Sequence, residues 1–318
     1  MNSASHPIRQ DKYRGRFAPS PTGPLHFGSL VAAVGSYLEA RTRGGLWLVR
    51  IDDLDTPRVV PGAADGILRT LDKLGMHWDE SVMIQSQRQA AYRAALEQLQ
   101  AQGLLYPCAC TRREIADSAL HGPKGFVYPG SCRNGLPEGR APRATRIRVN
   151  ETEISFDDVI QGAVTQNLAR DVGDFVVWRA DGLFAYQLAV VVDDAEQRVT
   201  DIVRGADLLD STPRQIYLQK QLQLPVPRYA HLPVAINERG EKLSKQTLAK
   251  AIDLRHATSE IAKALLFLGQ PVPDKWLSDL NDSGTNRNDT EELWKWAIAH
   301  WDQRHIPAKR AINSTGFA

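Results

Sequence analysis

Two stretches carry residues whose types and spacing could handle phosphate. The first, RFAPSPTGPLHFGSL over Arg16–Leu30, sets Pro19, Pro21 and Pro24 ahead of His26, Gly28 and Ser29. Each proline fixes φ and removes a backbone donor, so the segment is a stiff extended loop. A helix that begins just after a glycine offers unpaired N–H groups and a positive dipole end, a ready anion site. Gly28 allows close backbone approach, Ser29 can cap the helix, and His26 at the mouth could donate to phosphate oxygens. A lone loop histidine is ordinarily a surface residue, and this is no Walker-type glycine loop. The second stretch, NERGEKLSKQ over Asn237–Gln246, puts Lys242 and Lys245 around Leu243 and Ser244 beside a glycine hinge. Alone it reads as solvated surface. The conjunction and order of the two lift both readings.

A third group is made of sulfur. Cys108, Cys110 and Cys132 are the only cysteines. An odd number of clustered thiols suits a local metal site better than a disulfide framework, and tetrahedral zinc needs four ligands. From donor chemistry alone, His121 is the natural fourth.

The elements that must position these residues follow from pattern. KYRGRF reads as a strand. SLVAAVGSYLEARTRG has Leu30, Val34, Tyr37 and Leu38 at helical spacing and is stopped by Gly44 and Gly45. LWLVRID is a buried strand ending in acids. Strand, loop, helix and strand make a βαβ unit, so the first two strands should be parallel. Further helices are expected at about 62–75 and 87–102. From 104 to 145 periodicity fades, and cysteine, glycine, proline and basic residues suggest an insertion with its own small fold. TRIRV and FVVWR are strand-like. STPRQIYLQKQLQL opens a helix with Thr212 as cap and Pro213 at its first position. Two amphipathic helices close the chain, one near 258–268 and one with Asp289 and Glu292 at capping-box spacing.

The 318 residues are 42% hydrophobic and 24% charged, with a net charge of +2. That charge permits a nucleic-acid partner without announcing one. The N-terminal MNSASHPIRQDKYRGR has no apolar stretch suited to secretion, and a run such as Leu188–Val192 is too short to span a bilayer. A cytoplasmic protein without membrane association is expected. Nothing in the tail demands a second copy, so a monomer is expected too.

PLHFGS resembles the first signature of class I aminoacyl-tRNA synthetases, and EKLSK the second, the mobile lysine loop. Together with RIDDLDTPR and VVVDDAEQRVTDIVRGADLLDSTPRQIYL, the match over roughly residues 13–250 is similar to the catalytic domain of glutamyl-tRNA synthetases. The resemblance implies an α/β fold: a Rossmann-type parallel-sheet catalytic domain with a small zinc-binding insertion and a short C-terminal helical region. The corresponding division is 13–103 and 146–235 for the two catalytic halves, 104–145 for the insertion, and 236–318 for the lysine loop and helices.

It also implies a site. Pro19, His26, Gly28, Ser29 and Lys245 would hold ATP, with magnesium assisting, and His26, Lys242, Ser244 and Lys245 would serve catalysis. Arg16, Phe17, Ala18, Pro19, Ser20, Asp52, Tyr186 and Arg204 would hold L-glutamate, the arginines forking onto carboxylates and Asp52 taking the ammonium. The resemblance places Tyr128, ahead of His121, beside Cys108, Cys110 and Cys132 as the fourth ligand of one structural zinc. Two departures stand out: Asp52 where those enzymes usually present Glu, and Val190 where they tend to carry Asn. The second predicts weaker glutamate binding. A milder one is Gln246, where Ser is common.

After Lys245 there remain 73 residues, room for two or three helices where full glutamyl-tRNA synthetases carry anticodon-binding domains. A truncated core with C-x-C and Y-x3-C resembles glutamyl-Q tRNA(Asp) synthetases. This implies tRNA-independent activation of glutamate and its transfer to queuosine in the anticodon of tRNA(Asp), whose cyclopentenediol, like a terminal ribose, offers a vicinal diol. The alternative is a minimal glutamyl-tRNA synthetase charging the 3′ end. A non-catalytic paralogue is disfavoured by the presence of His26 and Lys245, and a small-molecule adenylyltransferase by the Arg16, Tyr186 and Arg204 set.

Overall fold

The computed structural model describes residues 12–111, 113–115, 120–122, 125–243, 250–277 and 287–317, of which 120–122, 125–126 and 287–288 are described as backbone only. Strand β1 (Arg14–Phe17) leads through the proline loop into α1 (Phe27–Thr42) and returns as β2 (Leu46–Ile51). β1 and β2 pair in parallel, Arg14 opposite Leu46 and Phe17 opposite Val49. α1 starts ahead of Ser29, because His26 caps it. α2 (Ala63–Lys73), β3 (Met83–Ile84) and α3 (Gln89–Ala101) follow, with β3 parallel to β2.

β4 (Leu105–Cys108), the short hairpin of β5 (Leu120–Gly122) and β6 (Gly125–Val127), and β7 (Ala144–Ile147) frame the cysteines, Cys108 at the end of β4 and Cys110 and Cys132 in the loops. β8 (Glu153–Asp158) and β9 (Gly162–Asn167) form a second hairpin, followed by β10 (Phe175–Trp178). β4 pairs outside its own segment, in an antiparallel sheet of order β10–β7–β4. α4 (Tyr186–Glu196), β11 (Asp201–Gly205), α5 (Thr212–Gln221), β12 (Arg228–Leu232) and β13 (Val234–Ile236) complete the centre. α6 (Ala257–Phe267), α7 (Arg287–His300) and β14 (Ala311–Asn313) lie beyond it.

One hydrogen bond organises the sheet. Thr200 N–H donates to the Arg14 carbonyl at 3.0 Å, which sets β11 beside β1 on the edge away from β2. β11 pairs in parallel with β12. The strands therefore run β3–β2–β1–β11–β12, and their order reverses between β1 and β11. In open α/β sheets that reversal leaves a crevice at the C-terminal ends of the strands, where ligands bind. α1, α6 and α7 cover one core, with Leu30, Leu38, Trp47, Leu265 and Leu293 fully buried. α3, α4 and α5 cover a second around Tyr92, Leu99, Leu188 and Leu218.

Two expected caps differ. α5 begins at Thr212, with Ser211 as its N-cap making no side-chain cap bond and Pro213 at the second helical position. The 3-10 turn Ala206–Ser211 feeds straight into it, which leaves Thr212 Oγ1 for other partners. α7 begins at Arg287, so Asp289 lies inside its first turn. Among the described residues no helix is long and apolar enough to cross a membrane.

Candidate active site

A cleft of about 660 Å3 opens at the reversal between β1 and β11. Arg16, Phe17, Ala18, Pro19 and Ser20 line it from β1 and the proline loop, and His26, Gly28 and Ser29 from the start of α1. Tyr186, Arg204 and Lys242 line it from the far side. Residues spread over more than two hundred positions thus meet in one space.

The proline loop is anchored from below: Asp52 N–H donates to the Pro19 carbonyl and Val60 N–H to that of Pro21, both at 3.0 Å. At the helix start His26 is the N-cap. Its Nδ1 accepts from Ser29 N–H at 3.4 Å, and its own N–H donates to Ser29 Oγ at 2.8 Å, a reciprocal capping box. An Nδ1 that accepts carries the lone pair, so the ring proton sits on Nε2 as a donor. Gly28 keeps this arrangement open. A Cβ there would lie 3.2 Å from the His26 ring and 3.6 Å from the Leu243 carbonyl. The 237–241 turn is closed by Asn237, whose Oδ1 accepts from the N–H groups of Arg239 and Glu241. It delivers Lys242 opposite Ile236, where Nζ meets Asp207 Oδ2 at 2.5 Å.

Arg204 is 5% exposed. Its Nε donates to His231 Nε2 at 3.0 Å, and Nη2 donates to Thr212 Oγ1 at 2.9 Å and Gln215 Oε1 at 2.7 Å. Nη1 is buried without a hydrogen-bond partner. A guanidinium so held has one donor edge left for a ligand. Beside it, burial raises the Tyr186 hydroxyl pKa, so this group is a neutral donor.

Arg16 behaves otherwise. Its Nε and Nη2 already fork onto Asp194, at 3.1 and 3.4 Å, and Asp194 also accepts from Arg50 Nη1 at 2.6 Å. Burial pushes the Asp194 carboxyl up, but Arg16 and Arg50 outweigh it and hold the group below the usual range. Asp52 belongs to the same network through Arg50 Nε at 2.8 Å. Burial lifts Asp52 to about 6 against the pull of Arg50 and Arg16. It is absent from the cleft lining.

The three sulfurs converge. Cys108, Cys110 and Cys132 Sγ lie within 4.8 Å of one another, with Cys110 and Cys132 3.6 Å apart. Tyr128 Oη stands 3.5 Å from Cys108 Sγ and 3.8 Å from Cys110 Sγ. Zinc–sulfur bonds of about 2.3 Å in a tetrahedron give ligand–ligand edges of about 3.8 Å, so this donor set fits the ion. Burial opposes ionisation of Cys108, but the Tyr128 hydroxyl and Arg146, whose Nε donates to its Sγ at 3.2 Å, bring it down to about 7. Gly173, at φ +74°, admits the Tyr128 backbone; a Cβ there would meet its carbonyl oxygen at 2.5 Å. The side chain of His121 lies outside the described residues.

Residues 12–260 match the family described as tRNA synthetases class I (E and Q), catalytic domain. The chain belongs to this family. The glutamyl-Q tRNA(Asp) synthetase of Dechloromonas aromatica is 59% identical over 302 residues, spanning 94% of this chain and 97% of its own. That of Chromobacterium violaceum is 59% identical over 93% of this chain and 96% of its own. Among solved structures, the glutamate-tRNA synthetase of Elizabethkingia anophelis superposes with a TM-score of 0.75 at 25% identity, covering 95% of this chain and 68% of that one.

Within this class I synthetase, most of the sequence-derived site gathers in one cleft. Ser244 and Lys245 lie outside the described residues. Val190 is 1% exposed within the second core and does not line the cleft, so here the position serves packing. Sequence reasoning missed Asp194 and Arg50, which hold Arg16, and His231, Thr212 and Gln215, which hold Arg204. The acids of VVVDD were a usable signal, since paired buried carboxylates require cations. His231 gave none.

Proposed function

We propose that the protein joins L-glutamate to ATP, forming glutamyl-adenylate and pyrophosphate without tRNA, and then transfers the glutamyl group to the queuosine base of tRNA(Asp). The observation that carries the glutamate reading is that Arg204, whose buried Nη1 has no hydrogen-bond partner, lines a cleft shared with the His26-capped helix and Lys242. The acceptor rests on the names of relatives that match nearly end to end.

Arg204 takes one substrate carboxylate through Nη1, and the Tyr186 hydroxyl donates beside it. Arg16, its fork already on Asp194, contributes its remaining edge and its charge. Asp52 acts on the ammonium through the network behind the wall. The α-carboxylate oxygen attacks the α-phosphorus, and the bond to the β-phosphate oxygen breaks. The carboxylate is already nucleophilic, so catalysis is positioning and charge stabilisation. His26 Nε2–H and the N-terminus of α1 hold the phosphates; Lys242 and Lys245, with Ser244 between, close over the departing pyrophosphate. Magnesium travelling with ATP spreads the phosphate charge. A queuosine hydroxyl then attacks the activated carbonyl and releases AMP. Cys108, Cys110, Tyr128 and Cys132 hold one zinc, which knits β4 to the segment that follows it.

ATP–pyrophosphate exchange without tRNA tests the first half. Exchange that depends on glutamate, and not on glutamine or aspartate, is expected. Exchange that appears only when tRNA is added would overturn it.

A further inference from the structure

Behind Arg204 stands a pair of side chains that no part of the reaction above uses. His231 and Asp158 both have fully buried side chains, with His231 Nδ1 2.5 Å from Asp158 Oδ2. Asp158 Oδ1 accepts three backbone N–H groups, from Ile160, Gln161 and His231. The opposite ring nitrogen, Nε2, faces Arg204 Nε at 3.0 Å. An arginine nitrogen only donates, so Nε2 must hold the lone pair and Nδ1 the proton, which Asp158 accepts. Packing alone would account for the bond between β8 and β12. It does not account for a cleft-lining guanidinium whose Nε and Nη2 are both consumed while its buried Nη1 alone has no hydrogen-bond partner.

We propose that His231, fixed in its tautomer by Asp158, is a positioning residue that aims Arg204 Nη1 at a substrate carboxylate. This rests on the reading of the cleft as a glutamate site. Asp158 acts one bond further back, as the carboxylate that orients the histidine in a hydrolytic triad does.

The test compares His231→Asn, His231→Gln and Asp158→Asn with the parent enzyme in ATP–pyrophosphate exchange. Asn can still donate to Asp158 but cannot reach Arg204; Gln can place an acceptor near the Nε2 position. Asp158→Asn presents an amide donor to Nδ1, which drives the proton to Nε2 and sets it against Arg204 Nε–H. His231→Asn and Asp158→Asn should raise the glutamate KM about 10- to 50-fold with the ATP KM within about twofold, and His231→Gln should recover most of the loss. Equal losses in both KM values for all three variants, or an unchanged glutamate KM in His231→Asn, would overturn the proposal. A second readout is independent of the substrate. The Arg204 Nε–H resonance in 1H–15N spectra should exchange slowly with solvent in the parent and His231→Gln proteins and rapidly in His231→Asn. If the parent protein does not activate glutamate, the functional reading fails, and this resonance still decides the relay.

Discussion

Arg16 lays its guanidinium along Asp194, Nε on Oδ1 and Nη2 on Oδ2, and both side chains are 3% exposed. Since Asp194 also receives Arg50, which Asp52 shares, one carboxylate bridges two buried cations. Removing one partner from a buried ion pair leaves uncompensated charge and costs about 3–5 kcal/mol. Asp194→Ala should therefore lower the unfolding free energy by about 3 kcal/mol or more in urea titrations. A loss below about 1 kcal/mol would show that the network does not hold the cleft wall.

Arg204→Lys is a sharper probe of recognition than Arg204→Ala, because a lysine keeps the charge and loses the fork. Both should raise the glutamate requirement about 10- to 100-fold, the range expected for a buried charge-assisted hydrogen bond, while the ATP requirement stays near normal. Steady-state exchange assays at varied glutamate and varied ATP separate the two. Equal effects on both substrates would remove Arg204 from the amino-acid site.

The parts legible in sequence are those whose partners are close along the chain. The prolines, the β1–α1–β2 unit and the cysteine cluster are local patterns with local physical causes, whereas the cap of α1 is expected at Ser29 and is His26. Arg16 and Asp194 are 178 positions apart, and His231 and Asp158 are 73 apart. No periodicity marks such pairs, because the sheet order that joins them is a tertiary fact. The resemblance assigns the fork of Arg16 to substrate, yet in the fold that fork lies on Asp194. Asp52 is expected to take the substrate ammonium, but its side chain turns back to Arg50 and does not line the cleft. Val190 departs from the family pattern at a position buried in the second core and away from the cleft lining.

Protein purified without chelator should contain about one zinc per chain by elemental analysis. Cys132→Ser should reduce that content sharply, and Tyr128→Phe should weaken retention during dialysis against chelator with less effect on the initial loading. Zinc unaltered in Cys132→Ser would place the metal elsewhere.

Acid should weaken the fold through His231. Burial, helped by Arg204, lowers its pKa from 6.5 to about 4, so the folded state favours the neutral ring. The contribution is complete above about pH 6.5 and is lost as pH falls toward 4. At pH 5 the loss is about 2 kcal/mol, taking 1.36 kcal/mol per unit. Urea titrations at pH 7.5 and 5.0 should show this extra loss in the parent protein and not in His231→Gln. Parallel losses in both would mean that other groups set the acid limit.

The acceptor is the central claim, and one measurement addresses it directly. Labelled glutamate and ATP are supplied with tRNA from cells that make queuosine and from cells unable to make it. The account predicts label only on the queuosine-containing tRNA, on tRNA(Asp). Equal label on both pools would contradict it and make this a synthetase that charges the 3′ end.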